Sequence, residues 1–295
     1  MGSKLTSYLQ LHLAVLLYGL TAILGDLISL NALNLVWWRV LITSLSLLFF
    51  VRFGLSIIKM PRKDVMIFVA IGFLVALHWV SFYGAIKLAN ASIVLAAMAT
   101  TSFFTSLIEP IVTKKKFKRL EILLGLAIVP PMLMISQTID ISLQTGLLVA
   151  LLSAFLASLF ASFNKKYIER ANSFQISFIE MGSAFLLLSC IVPFYIDSVS
   201  DLMPKQSDWI YLIVLSLLCT TFAYVISMKA LRHLSAFDSN LVINLEPVYG
   251  IILAIVILKE HNELSLNFYI AVGLIMIIVF PHPFLEKYFY GSKKL

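Results

Sequence analysis

The sequence predicts an all-α integral membrane protein whose ten transmembrane helices form two inverted five-helix repeats. Three observations predict it. Of 295 residues, 61% are hydrophobic and only 13% charged, with a mean hydropathy of +0.99, a balance that places the chain in a bilayer. Apolar runs close to the roughly 20 residues that a membrane-crossing helix needs recur along the chain. Finally, "YGAIKLANASIVLAAMATTSFF" (83 to 104) aligns without a gap on "MKALRHLSAFDSNLVINLEPVY" (228 to 249), an offset of 145.

The runs are separated by short charged or turn-rich breaks and define spans near 8–28, 33–53, 64–87, 91–112, 121–139, 143–164, 173–196, 208–229, 237–258 and 266–284. An N-terminus in the cytoplasm leaves only Lys87, Lys205 and Lys259 outside and Arg39 within the second span. Every other Lys and Arg of the 22 then faces inward, so the positive-inside rule selects that topology, with both termini cytoplasmic. The net charge of +7 is read as membrane anchoring on one face and not as a nucleic-acid footprint. Cys190 and Cys219 lie in apolar runs without a CxxC partner, which argues against a disulfide framework and a thiolate metal site. The expected location is a bacterial inner (plasma) membrane.

In the repeat alignment Ala85 meets Ala230 and Lys87 meets Arg232, each followed by a tight Ser/Asn turn and an apolar helix with polar residues near its middle. The expected units are residues 1–140, residues 141–285 and a basic tail, 286–295. Because each unit has an odd number of spans, the second enters the membrane from the opposite side. That is the plan of a secondary transporter with its binding site near the midplane, between the halves.

The chain resembles the drug/metabolite transporter superfamily, specifically its ten-helix, two-repeat branch, the EamA family. The resemblance rests on "LLYG" (16–19), "WWRVLITSLSLLF" (37–49), "FYGAIKLANASIVLAA" (82–97), "LEPVYGIILAIVILKE" (245–260) and "IAVGLIMI" (270–277). It implies a transporter of small organic solutes, often an exporter, whose two halves line a central cavity. The first half has "KKKFKR" (114–119) where the second has Leu258, Lys259 and Glu260, so a role for Glu260 has no symmetric counterpart.

Ionisable side chains in hydrocarbon normally face a cavity or a partner. Glu246 falls about eight residues into the ninth span, some 12 Å from its cytoplasmic end, and Pro247 beside it removes a backbone donor. The pair is expected to make a kinked polar midpoint that holds a substrate ammonium or a proton, with Asn244 and Tyr249 alongside. The bland reading is a structural carboxylate tied to a basic or hydroxyl neighbour. Glu109-Pro110 looks like a copy but lies closer to Lys114, Lys115 and Lys116, with which Glu109 is expected to pair. At the offset of 145, Thr101 and Ser102 match Glu246 and Pro247.

Arg39, roughly 9 Å from the outer end of the second span, would bind a substrate carboxylate or pair with a protein one. Glu180 falls near its repeat position at an offset of about 141, so a cross-repeat ion pair is one expectation. His78 is read as an interhelical hydrogen bonder or a proton relay, and Trp79 and Tyr83, one turn apart, as a cavity wall. Pro110, Pro130, Pro131 and Pro247 are expected to kink their helices, and Gly72, Gly125 and Gly273 to permit close helix contact.

The function these readings support is a secondary transporter of a small metabolite such as an amino acid or amine, working by alternating access and exporting its solute. The alternative within the superfamily is a nucleotide-sugar or sugar-phosphate antiporter, which would need two or more cavity bases where Arg39 is the only deep one. A different class, a membrane acyltransferase using His233 and Asp238, rests on a six-residue match in a turn where Ser235 or Asp238 serves equally as a helix N-cap. HExxH, GxSxG and Walker A motifs do not occur, so neither an enzyme nor an ATP-driven pump is expected. No cofactor or metal is implied. The expected partners are a small-molecule substrate, the lipid bilayer and protons as coupling ion; a monomer suffices. Were protons coupled, Glu246 would carry them first and His78 second.

Overall fold

The computed structural model describes residues 2–52, 60–233, 242–243, 245–262, 264–281, 285 and 288. Those residues are helical or in short turns, with no β-strand among them. The membrane elements are α1 (Gly2–Leu27), α2 (Ala32–Arg52), α3 (Arg62–Leu88), α4 (Ala91–Met98 and Thr101–Thr113) and α5 (Arg119–Ala127 and Val129–Thr138). They continue with α6 (Gln144–Tyr167), α7 (Ser173–Ile191), α8 (Asp208–Ile213, Val214–Phe222 and Ala223–His233), α9 (Glu246–Leu253 and Ala254–Leu258) and α10 (Leu266–Val279). Eight are long and apolar enough to cross a membrane, and Glu246–Leu258 and Leu266–Ile278 are shorter apolar helices, which completes the expected ten-helix architecture.

Polar caps fix several helix starts. Asn90 accepts from the Ile93 backbone N–H at 2.9 Å, Ser265 caps α10, and Asn172 with Gln175 forms a reciprocal capping box on α7. Glu260, at the end of α9, accepts from the Ala91 N–H at 3.0 Å and the Ser92 N–H at 2.9 Å, one with each carboxylate oxygen. The first turn of α4 therefore has its free donors satisfied by Asn90 and by a residue 168 or more positions away. Glu260→Gln removes a charge-assisted acceptor and turns an amide NH₂ toward a backbone N–H. It should lower unfolding stability by about 2 kcal/mol, read as a lower melting midpoint of the purified protein. An unchanged midpoint would make the cap incidental.

Two helices are interrupted at corresponding places. The α4 helix turns at Ala99 and Thr100 and resumes at Thr101; α9 turns at Leu245 and resumes at Glu246. Thr100 (φ −70°, ψ −10°) and Leu245 (φ −81°, ψ −12°) have nearly the same backbone conformation and lie 145 apart. Among the described residues, the non-glycine residues with positive φ are Lys114 (58°) and Lys259 (59°), again 145 apart, each terminating its helix in the left-handed conformation. The packing is reciprocal too. The α3 helix packs on α6 and α7, and α8 on α1 and α2; α4 packs on α6, and α9 on α1; α2 meets α7, α4 meets α9, and α5 meets α10.

The prolines sit differently from expectation. Pro247 is in the first turn of the resumed α9 segment, where its missing N–H is not needed, so the helix starts there instead of bending through it. Glu246 is correspondingly the first residue of that segment and not the eighth of a continuous helix. Pro130 and Pro131 likewise open the second part of α5 after a turn at Ile128, and α4 runs through Pro110 without a break.

Gly72 abuts the backbone and Ser183 side chain around Glu180, which brings α3 close to α7, and Gly125 faces Phe103. Gly273 has nothing within 4 Å of where a Cβ would stand, so it mediates no helix contact in the described structure.

Candidate functional site

Polar side chains inside the bundle gather in three places. The first surrounds Arg39, on α2. It is 3% exposed; its Nε donates to Thr220 Oγ1 at 2.8 Å and one terminal nitrogen donates to Tyr83 Oη at 2.8 Å. The guanidinium carbon lies 3.7 Å from the centre of the Trp79 ring, a cation–π contact. Trp79 and Tyr83 thus line the Arg39 site together. No carboxylate among the described residues is within ion-pair distance of Arg39, so the expected pair with Glu180 does not form.

Thr220 reaches Arg39 from a π-helical stretch of α8, Val214–Phe222. There the hydroxyls of Thr220 and Thr221 donate five residues back, to the carbonyls of Leu215 and Ser216 at 2.7 and 3.0 Å, which matches the widened turn. The same stretch meets α2 further along: Thr43 donates to the Ser216 carbonyl at 3.2 Å, and Ser46 and Thr221 share a 2.6 Å hydrogen bond.

The second place surrounds Glu246. Its carboxylate is half-buried, and no hydrogen bond or ion pair engages it among the described residues. The Tyr18 hydroxyl of α1, itself half-buried, shares a 2.8 Å hydrogen bond with Ser227 Oγ, and the next residue, Gly19, packs on the α9 backbone. Close backbone packing sets this arrangement, because a Cβ on Gly19 would stand 2.9 Å from the Gly250 nitrogen and 3.3 Å from the Glu246 carbonyl. Glycine at 19 lets α1 approach α9 this far, while a Cβ on Gly250 would instead meet the Leu95 side chain of α4. Tyr249, one turn on from Glu246, shares a 3.4 Å contact with His12 Nδ1. Asn244 lies outside the described residues, as do Asp238 and the side chain of His233.

The third place is Glu180 on α7, 0% exposed. Its Oε2 accepts from Tyr224 Oη at 2.6 Å and from Asn164 Nδ2 at 3.4 Å, so α6, α7 and α8 meet there. Asn164 also donates to Tyr224 Oη at 3.2 Å.

The remaining candidates are tied elsewhere. His78 Nδ1 lies 2.9 Å from the Ser153 carbonyl oxygen and the Ser153 hydroxyl donates back to the His78 carbonyl, which joins α3 to α6. Thr101 and Ser102 open the second segment of α4; the Thr101 hydroxyl is buried without a partner among the described residues. Glu109 pairs with Lys165 at 2.6 Å and not with the expected cluster at 114–116. The left-handed turn at Lys114 directs the chain away, whereas α6 packs against the second part of α4 and delivers Lys165.

The EamA-like transporter family model matches residues 5–137 and again 144–280, nearly the whole chain. The chain belongs to the EamA-like transporter family. It is 21% identical over 283 residues, 93% of this chain and 88% of the other, to the uncharacterized transporter YxxF of Bacillus subtilis (strain 168). A solved crystal structure shares the fold with a TM-score of 0.66 at 17% identity, over 95% of this chain and 98% of that one. This EamA-family member is therefore a multi-pass membrane transporter. Tyr18, Thr220, Asn164 and the Gly19–Gly250 contact are the parts of the candidate site that sequence reasoning missed.

Proposed function

We propose that this transporter moves a small zwitterionic metabolite, an amino acid or a close analogue, with Arg39 holding the carboxylate and Glu246 the ammonium. The observation that carries the reading is the pair of opposite charges without ion-pair partners among the described residues, one in each half. A guanidinium matches a carboxylate bidentately, and its seat on Trp79 and Tyr83 fixes its plane. A carboxylate on a membrane-spanning helix normally faces a cavity or a partner, because hydrocarbon would not solvate it. Among the described residues Arg39 is the buried Lys or Arg, which disfavours a nucleotide sugar or sugar phosphate needing several bases.

The paired helix interruptions, the paired left-handed lysines and the reciprocal packing support two repeats of opposite orientation, residues 1–140 and 141–285, that rock about a shared axis in alternating access. The excess of Lys and Arg on the N-terminal face supports an orientation with both termini in the cytoplasm. Export is the direction the family resemblance favours.

A thermal-shift screen of the purified protein against amino acids, primary amines without a carboxylate, and carboxylic acids without an amine tests the reading. Amino acids should raise the melting midpoint most, with each single-charge class giving a smaller rise. Stabilisation by phosphorylated sugars instead would overturn it.

A further inference from the structure

We propose that Glu180, with Asn164 and Tyr224, is a proton-binding site whose occupancy decides whether α6, α7 and α8 stay joined toward the N-terminal face. The site is distinct from the Arg39 and Glu246 pair and rests on the transporter reading only for the use made of the proton. Glu180 and Asn164 are in contact, yet each keeps an oxygen, Oε1 and Oδ1, that is buried without a hydrogen-bond partner among the described residues. The Ser177 hydroxyl, one turn earlier on α7 and 0% exposed, is unpartnered as well. Buried acceptors are normally satisfied, so neighbouring ones left without donors mark a place where something binds.

A proton suits the deficit better than a metal ion. Added to Oε1, it converts an unpartnered buried acceptor into a donor and removes the buried charge. An alkali cation would need several oxygens at once, and among the described residues no group of three His, Cys, Asp or Glu gathers for a metal.

The surroundings make the proton consequential. Tyr224 on α8 is the titratable group that touches Glu180; α6 presents the uncharged Asn164, α3 presents Gly72 against the Glu180 backbone, and Arg39 on α2 is engaged with Thr220 and Tyr83. Lys229 further along α8 sits over Phe174 instead. With the carboxylate ionised, the 2.6 Å bond from Tyr224 is charge-assisted; with a proton on Oε1 it becomes a neutral bond of about half the strength. A hydronium ion that delivers the proton is left as neutral water, and the helix junction loses its strongest link. The pattern mirrors the Arg39 site, since Tyr224 lies 145 positions after Trp79, and it places a chargeable latch in one half where the other holds a permanent cation.

The test needs no solute. Infrared difference spectra of the full-length protein in lipid should show a protonated-carboxyl band that grows on acidification, is lost in Glu180→Gln and persists in Glu246→Gln. In a background with Cys190 and Cys219 replaced, spin labels on the N-terminal-face ends of α6 and α8 should move apart by about 2 Å or more on acidification. Glu180→Gln should hold one distance at every pH. Tyr224→Phe, which keeps the carboxylate but lacks the bond, should already show the longer distance at alkaline pH and supplies the readout if Glu180→Gln does not fold. A band indifferent to Glu180→Gln, a distance that follows sodium instead of pH, or Tyr224→Phe behaving as wild type would each overturn the proposal. Loss of amino-acid binding by the unmodified protein would overturn the solute reading and leave this one standing.

Discussion

Glu246→Gln should lower the affinity for amino acids and amines by roughly 30- to 150-fold while leaving carboxylic acids without an amine nearly unaffected. The carboxylate has no partner among the described residues, so its charge is free to meet an incoming ammonium. A hydrogen-bonded ammonium and carboxylate contribute about 2 to 3 kcal/mol, which sets that range. Glutamine keeps the size and one acceptor oxygen, and the first turn of the α9 segment holds it in the same place, so a structural collapse is not expected. Binding measured by calorimetry or thermal shift, with one compound of each class, separates the outcomes. Equal losses for amines and acids would mean that Glu246 shapes the cavity instead of reading the ammonium. No loss at all would remove it from the site.

Most of the helices were legible because length and hydropathy alone define a membrane span. The offset of 145, taken from a low-identity alignment, also lands on the two helix interruptions and the two left-handed lysines, features of backbone geometry that it never used. What the sequence could not show is which face of each helix meets which neighbour. Thr220 reaches Arg39 because the π-helical stretch widens the turn of α8, and nothing in "LCTTF" (218–222) announces an extra residue per turn. Asn164, near the end of a span and followed by Lys165 and Lys166, reads as interfacial, yet it is 4% exposed and bonded to Glu180. Sequence distance pairs Glu109 with nearby lysines, whereas helix packing supplies Lys165 from 56 positions away. Glu260 shows the same limit, since nothing in the sequence places the start of α4 beside it.

Arg39→Met should cost the protein its carboxylate selectivity without costing it stability. A guanidinium that is 3% exposed, with two of its donors used and no carboxylate alongside among the described residues, is an expense to the empty protein. Methionine is close in length, packs against the Trp79 ring through its sulfur and carries no charge to desolvate. The groups that lose the arginine are not stranded. Thr220 still donates to the Leu215 carbonyl, and the Tyr83 hydroxyl has Thr21 beside it. The melting midpoint without solute should therefore hold or rise, while affinity for carboxylate-bearing solutes falls by roughly 30-fold or more and amines without a carboxylate bind as before. Opposite movement of stability and affinity is the expected mark of a charge kept for its ligand. A midpoint lowered by several degrees, with the affinity ratio of acids to amines unchanged, would show that Arg39 instead ties α2 to α8 and α3 as a structural member, and the carboxylate would then need another reader.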